Sequence, residues 1–159
     1  MRKSSLLFLG LLFAFSGGAQ PNKTRITVSL PEGWTKVAGS VLEHQYLKNG
    51  ASFMIKEETA LNGKSMEDAI PVVKQQMTKF FKEIEFAPVE RMKIDGRDAR
   101  SVTFIYSVKV GNTALKMKMQ SIYVMVGGKC QNVSFGSLAD KFSAITGEIQ
   151  QILRGIRFS

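Results

Sequence analysis

The sequence predicts an α+β fold: a largely antiparallel sheet of about six strands with helices on both faces. Three observations carry this prediction. Runs of β-type residues between Arg97 and Phe135 are broken only at Gly111–Asn112 and Gly127–Gly128, the pattern of an antiparallel meander. Stretches beginning at Ser65 and Ser137 carry apolar residues every three or four positions, the period of an amphipathic helix. Asn49–Gly50 sits between two shorter strand-like runs, the strongest short hairpin signal. Strands, hairpin, helix, strands and helix in that order describe α+β rather than alternating βα units.

The first nineteen residues stand apart from the fold. Arg2 and Lys3 form a short basic start, and Leu6 to Phe15 is an apolar run too short to span a bilayer as a helix. Gly17 and Ala19 are the small residues that a signal peptidase needs. Residues 1–19 are therefore expected to be a secretory signal peptide, and residues 20–159 a single globular domain. The expected location is the periplasm or the extracellular space.

Arg25 to Leu30 alternates with Ile26, Val28 and Leu30 on one face, which predicts a strand. Pro31 and Gly33 break it, and Trp34 opens a short extended piece, where its ring is expected to pack over the edge of the core. Leu42 to Leu47 and Ala51 to Glu57 form the hairpin around Asn49–Gly50. Ser65 with Asp68 has the spacing of a helix N-cap. Met66, Ala69, Ile70, Val73, Met77, Phe80, Phe81 and Ile84 make the apolar stripe that follows. Pro71 inside that stripe removes one backbone bond, so the helix either kinks or becomes regular near Ile70. Phe86 to Ile94 is extended, and Pro88 places it at a sheet edge.

Turn lengths then set the register of the meander. A two-residue turn at Gly111–Asn112 puts Val110 opposite Thr113, Val108 opposite Leu115, Tyr106 opposite Met117 and Phe104 opposite Met119, all on one apolar face. The other face carries Ser107 opposite Lys116 and Ile105 opposite Lys118, with Lys109 nearby. Farther along, Ile122, Val124 and Val126 make that second face apolar too. Val133 and Phe135 join them if Gly127–Gly128 is also a two-residue turn, and a second cover is then required. Ser137 with Asp140 predicts the start of a closing helix, ended by Gly155. Ile156 and Phe158 are expected to pin the segment after it.

Lysine and arginine number 22 against 13 Asp and Glu, giving a net charge of +9. Such a chain favours anionic partners, but no basic run with interleaved aromatics marks a nucleic-acid surface. Cys130 is the lone cysteine, so the fold rests on its core rather than on an internal disulfide. It is expected to be a small buried residue of a strand. His44 is the lone histidine, and any nucleophilic triad would have to use it. One His and one Cys make a poor transition-metal set, and no phosphate-cradling or nucleophile motif is present, so no cofactor is expected. Glu57 and Glu58 are adjacent and point apart on a strand. Asn132, Val133 and Ser134 match a glycosylation pattern but fall inside a strand. Lys109, Lys116 and Lys118 form the one candidate partner-binding cluster.

The layout resembles the PsbP-like, DcrB-like superfamily of small exported or lumenal domains. The resemblance rests on the early strand ending in Leu30, Pro31, Glu32, Gly33 and Trp34, on the first amphipathic helix, and on the long strands with Tyr106 and Tyr123. It is completed by the final helix running into Ile152, Leu153, Arg154, Gly155, Ile156, Arg157 and Phe158. It spans about Arg25 to Phe158. It implies an α/β/α sandwich and a non-enzymatic role, as a binding or accessory protein of assembly, secretion or photosystem complexes. The function expected is therefore an exported binding or accessory protein that engages a protein or an anionic envelope component. A small secreted hydrolase built on His44 or a folded carboxylate pair, and an immunity or inhibitor protein against a secreted toxin, are the alternatives.

Overall fold

A computed structural model describes residues 23–159. The signal peptide expected over residues 1–19 lies outside the described residues. The architecture is α+β, with a mostly antiparallel sheet and two α-helices. The expectation of a sheet of about six strands is corrected: the main sheet has eight, and ten strands are present among the described residues. They are β1 (Ile26–Val28), β2 (Thr35–Lys36), β3 (His44–Lys48), β4 (Ala51–Glu57), β5 (Glu85–Phe86), β6 (Glu90–Ile94), β7 (Arg97–Val110), β8 (Thr113–Val126), β9 (Lys129–Leu138) and β10 (Ile156–Phe158). The helices are α1 (Met66–Phe80) and α2 (Thr146–Arg154).

Eight strands form one sheet in the order β2, β3, β4, β9, β8, β7, with β5 and β6 both on the outer edge of β7. Pro88 explains the divided edge: it has no N–H to give to a ladder, so the extended stretch splits into two short strands. The remaining two strands, β1 and β10, pair with each other as a separate ribbon, Ile26 opposite Phe158 and Val28 opposite Ile156. The short closing strand adds to the count because Ile156 and Phe158, expected as anchors, alternate with Arg157 and pair as a ladder.

The hairpin registers follow from the turns. Val110 faces Thr113, Tyr106 faces Met117 and Ile105 faces Lys118. Val126 faces Lys129, so the Gly127–Gly128 turn also holds two residues and Val133 lies opposite Ile122. Both Gly127 and Gly128 have positive φ, 57° and 79°, as do Asn49 and Gly50 in the β3–β4 turn, 47° and 80°. That backbone is the one whose twist matches two-residue hairpins.

The core divides between the two sheet faces. Even-numbered β8 residues Ile122, Val124 and Val126 pack with Phe53, Ile55, Val133, Phe135, the α2 residues Ile149, Ile152 and Leu153, and the β1–β10 ribbon. Odd-numbered Met117 and Tyr123 pack with Val102, Phe104, Tyr106, Cys130 and the α1 residues Met66, Ala69 and Val73. Successive strand residues point to opposite faces, and the α1 and α2 residues fall in different clusters. Phe53 and Phe135 stack with centroids 4.9 Å apart, and Tyr46 stacks on Phe53 at 5.7 Å. Burying a ring of this size stabilises by about 2 kcal/mol.

Both helices depart from their expected bounds. Ser65 caps α1, accepting from the Asp68 N–H at 3.1 Å, and Pro71 lies within the helix. The helix stops at Phe80 rather than continuing to Ile84; Phe80 is 54% exposed, and Phe81 has already turned extended. Ser137 does not open the closing helix. It is buried in β9 opposite Lys118, and a 3-10 turn over Phe142–Ile145 precedes α2. Pairing with β8 outweighs the local cap signal.

Candidate functional site

The β7–β8 hairpin reaches beyond its neighbours. On one side β5 pairs as far as Ile105, and on the other β9 pairs as far as Met117. From Ser107 to Lys116 the two strands therefore pair only with each other in the sheet ladder. Lys109, Lys116 and Lys118 lie on the Ile122 side of this ribbon, by strand alternation and by the pairs Ser107–Lys116 and Ile105–Lys118. Lys109 and Lys116 are exposed. Lys118 is half-buried, with its ammonium 5.0 Å from the centre of the Phe142 ring, so part of its role is to hold the 3-10 turn against the sheet.

The opposite side of the ribbon is apolar. Tyr106 is buried and lies 4.2 Å, ring to ring, from Phe81 beyond the end of α1. Val108 and Leu115 are half-buried, and Val110 near the tip is 52% exposed. The sequence holds no Asp or Glu between Asp98 and Asp140. The ribbon thus presents positive charge on one side and an incompletely covered apolar strip on the other. Glu85, opposite Ile105, stands at its base.

The other candidate groups lie elsewhere. His44 borders a small cavity of about 160 Å³ whose lining includes Glu43, Glu57, Lys23, Ile26 and Ile55. The His44 Nε2 is 3.2 Å from the Ile26 carbonyl, and its Nδ1 is 3.4 Å from the Tyr46 hydroxyl. Burial holds its pKa below the ordinary histidine value, against the pull of Glu43. Glu43 pairs with Lys23 at 2.5 Å, and Glu57 accepts from Asn62 at 2.8 Å. Each of these polar groups is held by a neighbour, and the cavity is smaller than the ~300 Å³ at which small-molecule sites begin. Cys130 is buried, and desolvation with the nearby Glu58 pushes its thiol up to about 12. A thiol in that condition is not a nucleophile at neutral pH.

Two arrangements escaped sequence reasoning. Trp34 donates from Nε1 to Glu148 at 2.7 Å, and Lys48 reaches the same carboxylate at 2.9 Å. Glu148 lies 114 residues from Trp34 and 100 from Lys48 in the chain, so no local pattern joins them. The second is a polar chain on the α1 face of the sheet. Lys56 pairs with Glu58 at 2.9 Å, Asn132 donates to Glu58 at 2.9 Å, Ser134 donates to Asn132 at 2.7 Å, and the Ser134 and Ser121 hydroxyls lie 3.1 Å apart. The alternation of Asn132 and Ser134 within β9 was the available signal. Asn132 is buried in this chain, which closes the glycosylation pattern to modification in the folded state.

No family model and no curated protein matches the sequence. Solved structures do match the fold. CyanoP, the PsbP of the cyanobacterium Synechocystis, superposes with a TM-score of 0.53 at 14% identity, covering 92% of this chain and 99% of that one. The fold is PsbP-like. LpqN of Mycobacterium tuberculosis, a protein involved in cell envelope biogenesis, matches with a TM-score of 0.62 at 10% identity, covering 88% of this chain and 86% of its own. Mog1p, a Ran-binding protein of Saccharomyces cerevisiae, matches at 0.58 and 12% identity, over 87% and 96% of the two chains. At such identities the likeness establishes this PsbP-like fold and carries no site residues with it. Among the described residues no helix is long and apolar enough to cross a membrane.

Proposed function

We propose that this chain is an exported, non-catalytic binding or accessory protein that engages a protein or anionic envelope partner through Lys109, Lys116 and Lys118. Residues 1–19 serve as the signal peptide, and residues 20–159 form one PsbP-like domain. The carrying observation is the projecting β7–β8 ribbon, free of carboxylates between Asp98 and Asp140 and with its lysines on one side. Positive potential concentrated on an exposed ribbon favours encounter with acidic surfaces. The envelope role of LpqN and the protein-binding role of Mog1p support a binding function. The test is capture of partners from an envelope fraction by the mature protein and by a variant carrying Lys109→Glu, Lys116→Glu and Lys118→Glu. Capture should fall roughly tenfold or more in the folded variant and weaken with added salt. Unchanged capture removes the ribbon from the function.

The cavity at His44 is where a hydrolase would have to work. Its groups are instead committed to structure: His44 to the Ile26 carbonyl, Glu43 to Lys23 and Glu57 to Asn62. A His44→Gln variant that keeps partner capture intact fits the binding role.

A further inference from the structure

The register of the ribbon fixes which backbone groups look outward. Val110 and Thr113 flank a two-residue turn and so exchange ladder bonds with each other, as do alternate pairs behind them. The intervening β7 residues, Thr103, Ile105, Ser107 and Lys109, direct their N–H and C=O to the outer edge. The Ala87 N–H donating to the Thr103 carbonyl at 2.9 Å agrees with that assignment. Along this edge β5 pairs with Phe104 and Ile105 and goes no further, because Glu83 takes a left-handed φ of 56° and diverts the chain. Ser107 and Lys109 are left with outward N–H and C=O groups that no strand of this chain reaches among the described residues.

We propose that this open edge of β7 receives an extended, acidic segment of a partner protein as an added strand, an inference that rests on the binding role proposed above. Four backbone groups on two alternate residues match a partner segment of about five residues. The side chains specify its chemistry. A strand laid beside β7 meets Lys109 on one face, with Lys116 and Lys118 beyond it, and meets Val108 and the exposed Val110 on the other. The fitting segment alternates carboxylates with β-branched apolar residues. A second copy of this chain is the wrong occupant, because β7 against β7 brings two lysine-bearing edges together. Lysine on an edge strand ordinarily prevents such self-pairing. A lipid surface could neutralise the lysines and would leave the backbone groups unpaired.

The probe is a blocked peptide of alternating Glu and Val, about seven residues long, added at low salt to the mature protein. Two derivatives carry N-methyl groups, one on all Val amides and the other on all Glu amides. In a strand, alternate amides face opposite edges, so one derivative should bind like the parent and the other should bind roughly tenfold or more weakly. Hydrogen exchange followed by NMR should show the Ser107 and Lys109 amides slowing roughly tenfold or more on peptide addition. Lys109→Pro should abolish binding where Lys109→Ala only weakens it, with unfolding curves confirming that both variants fold. Equal binding by both methylated peptides overturns strand addition while leaving the basic surface in place. Binding of phosphatidylglycerol vesicles without peptide binding does the same. Failure of peptide and vesicles alike overturns this proposal and the binding role together.

Discussion

Glu148 ties together three segments that the chain separates widely. Its carboxylate accepts from Trp34 and from Lys48, whose ammonium also reaches the Glu32 carbonyl at 2.8 Å. The Lys48 bond, then the Trp34 bond, hold its pKa below the usual carboxylate range. Glu148→Ala leaves the half-buried Trp34 Nε1 without its partner and removes the Lys48 ion pair, and should destabilise by about 1–3 kcal/mol in urea unfolding. A Lys48→Met partner variant should show non-additivity. His44 supplies a pH dependence of definite sign. Its folded pKa is lowered below 6.5, first by burial, with Lys36 and Lys23 acting in the same sense and Glu43 and the Ile26 carbonyl opposing. As pH falls through 6.5 the unfolded chain takes up a proton that the folded chain resists, so stability drops, levelling once both states are protonated. Unfolding free energies at about pH 7.5 and about pH 5.5 should differ in the native chain, and the difference should shrink in His44→Gln.

At the scale of elements, two glycines of the closing region have opposite meanings. Gly147 in α2 has open space where a Cβ would stand, so Gly147→Ala should stabilise by about 0.5 kcal/mol. Gly155 follows α2 with φ −90°, an ordinary value, so it does not end the helix by a left-handed turn. A Cβ would lie 2.7 Å from the Ser29 carbonyl oxygen, and the Ser29 N–H donates to the Gly155 carbonyl at 3.1 Å. Gly155→Ala should therefore cost about 1–3 kcal/mol, and thermal unfolding of the two variants should move in opposite directions. Hairpins were the most legible elements because turn length and two-residue periodicity together leave one register; every pair expected across Gly111–Asn112 is present. Helix starts were less legible. Ser137 and Asp140 imitate a cap, but the strand continues through Ser137 because β8 offers it a partner. The position of Lys118 in its register was readable, whereas its place over Phe142 depended on a turn that the sequence had presented as helix.

For the whole molecule, what mattered was how covers are assigned to the two faces of the sheet. The need for a second cover was legible from Ile122, Val124 and Val126, and α2 shares a core with them. The β1–β10 ribbon completing that cover was not, because pairing between strands at such sequence separation leaves no periodic trace. Ile156, opposite Val28 at one end of the ribbon, is fully buried. Ile156→Ala should destabilise by about 2–4 kcal/mol in urea, more than Val28→Ala at its half-buried counterpart. The ribbon also imposes an order of events in time. Ile26 to Val28 leave the ribosome long before Ile156 to Phe158 exist, and closing so large a loop is entropically late. Until then Phe53, Ile122 and Phe135 lack part of their lid, so each newly made chain keeps an apolar flank available to chaperones until Ile156 to Phe158 have been made.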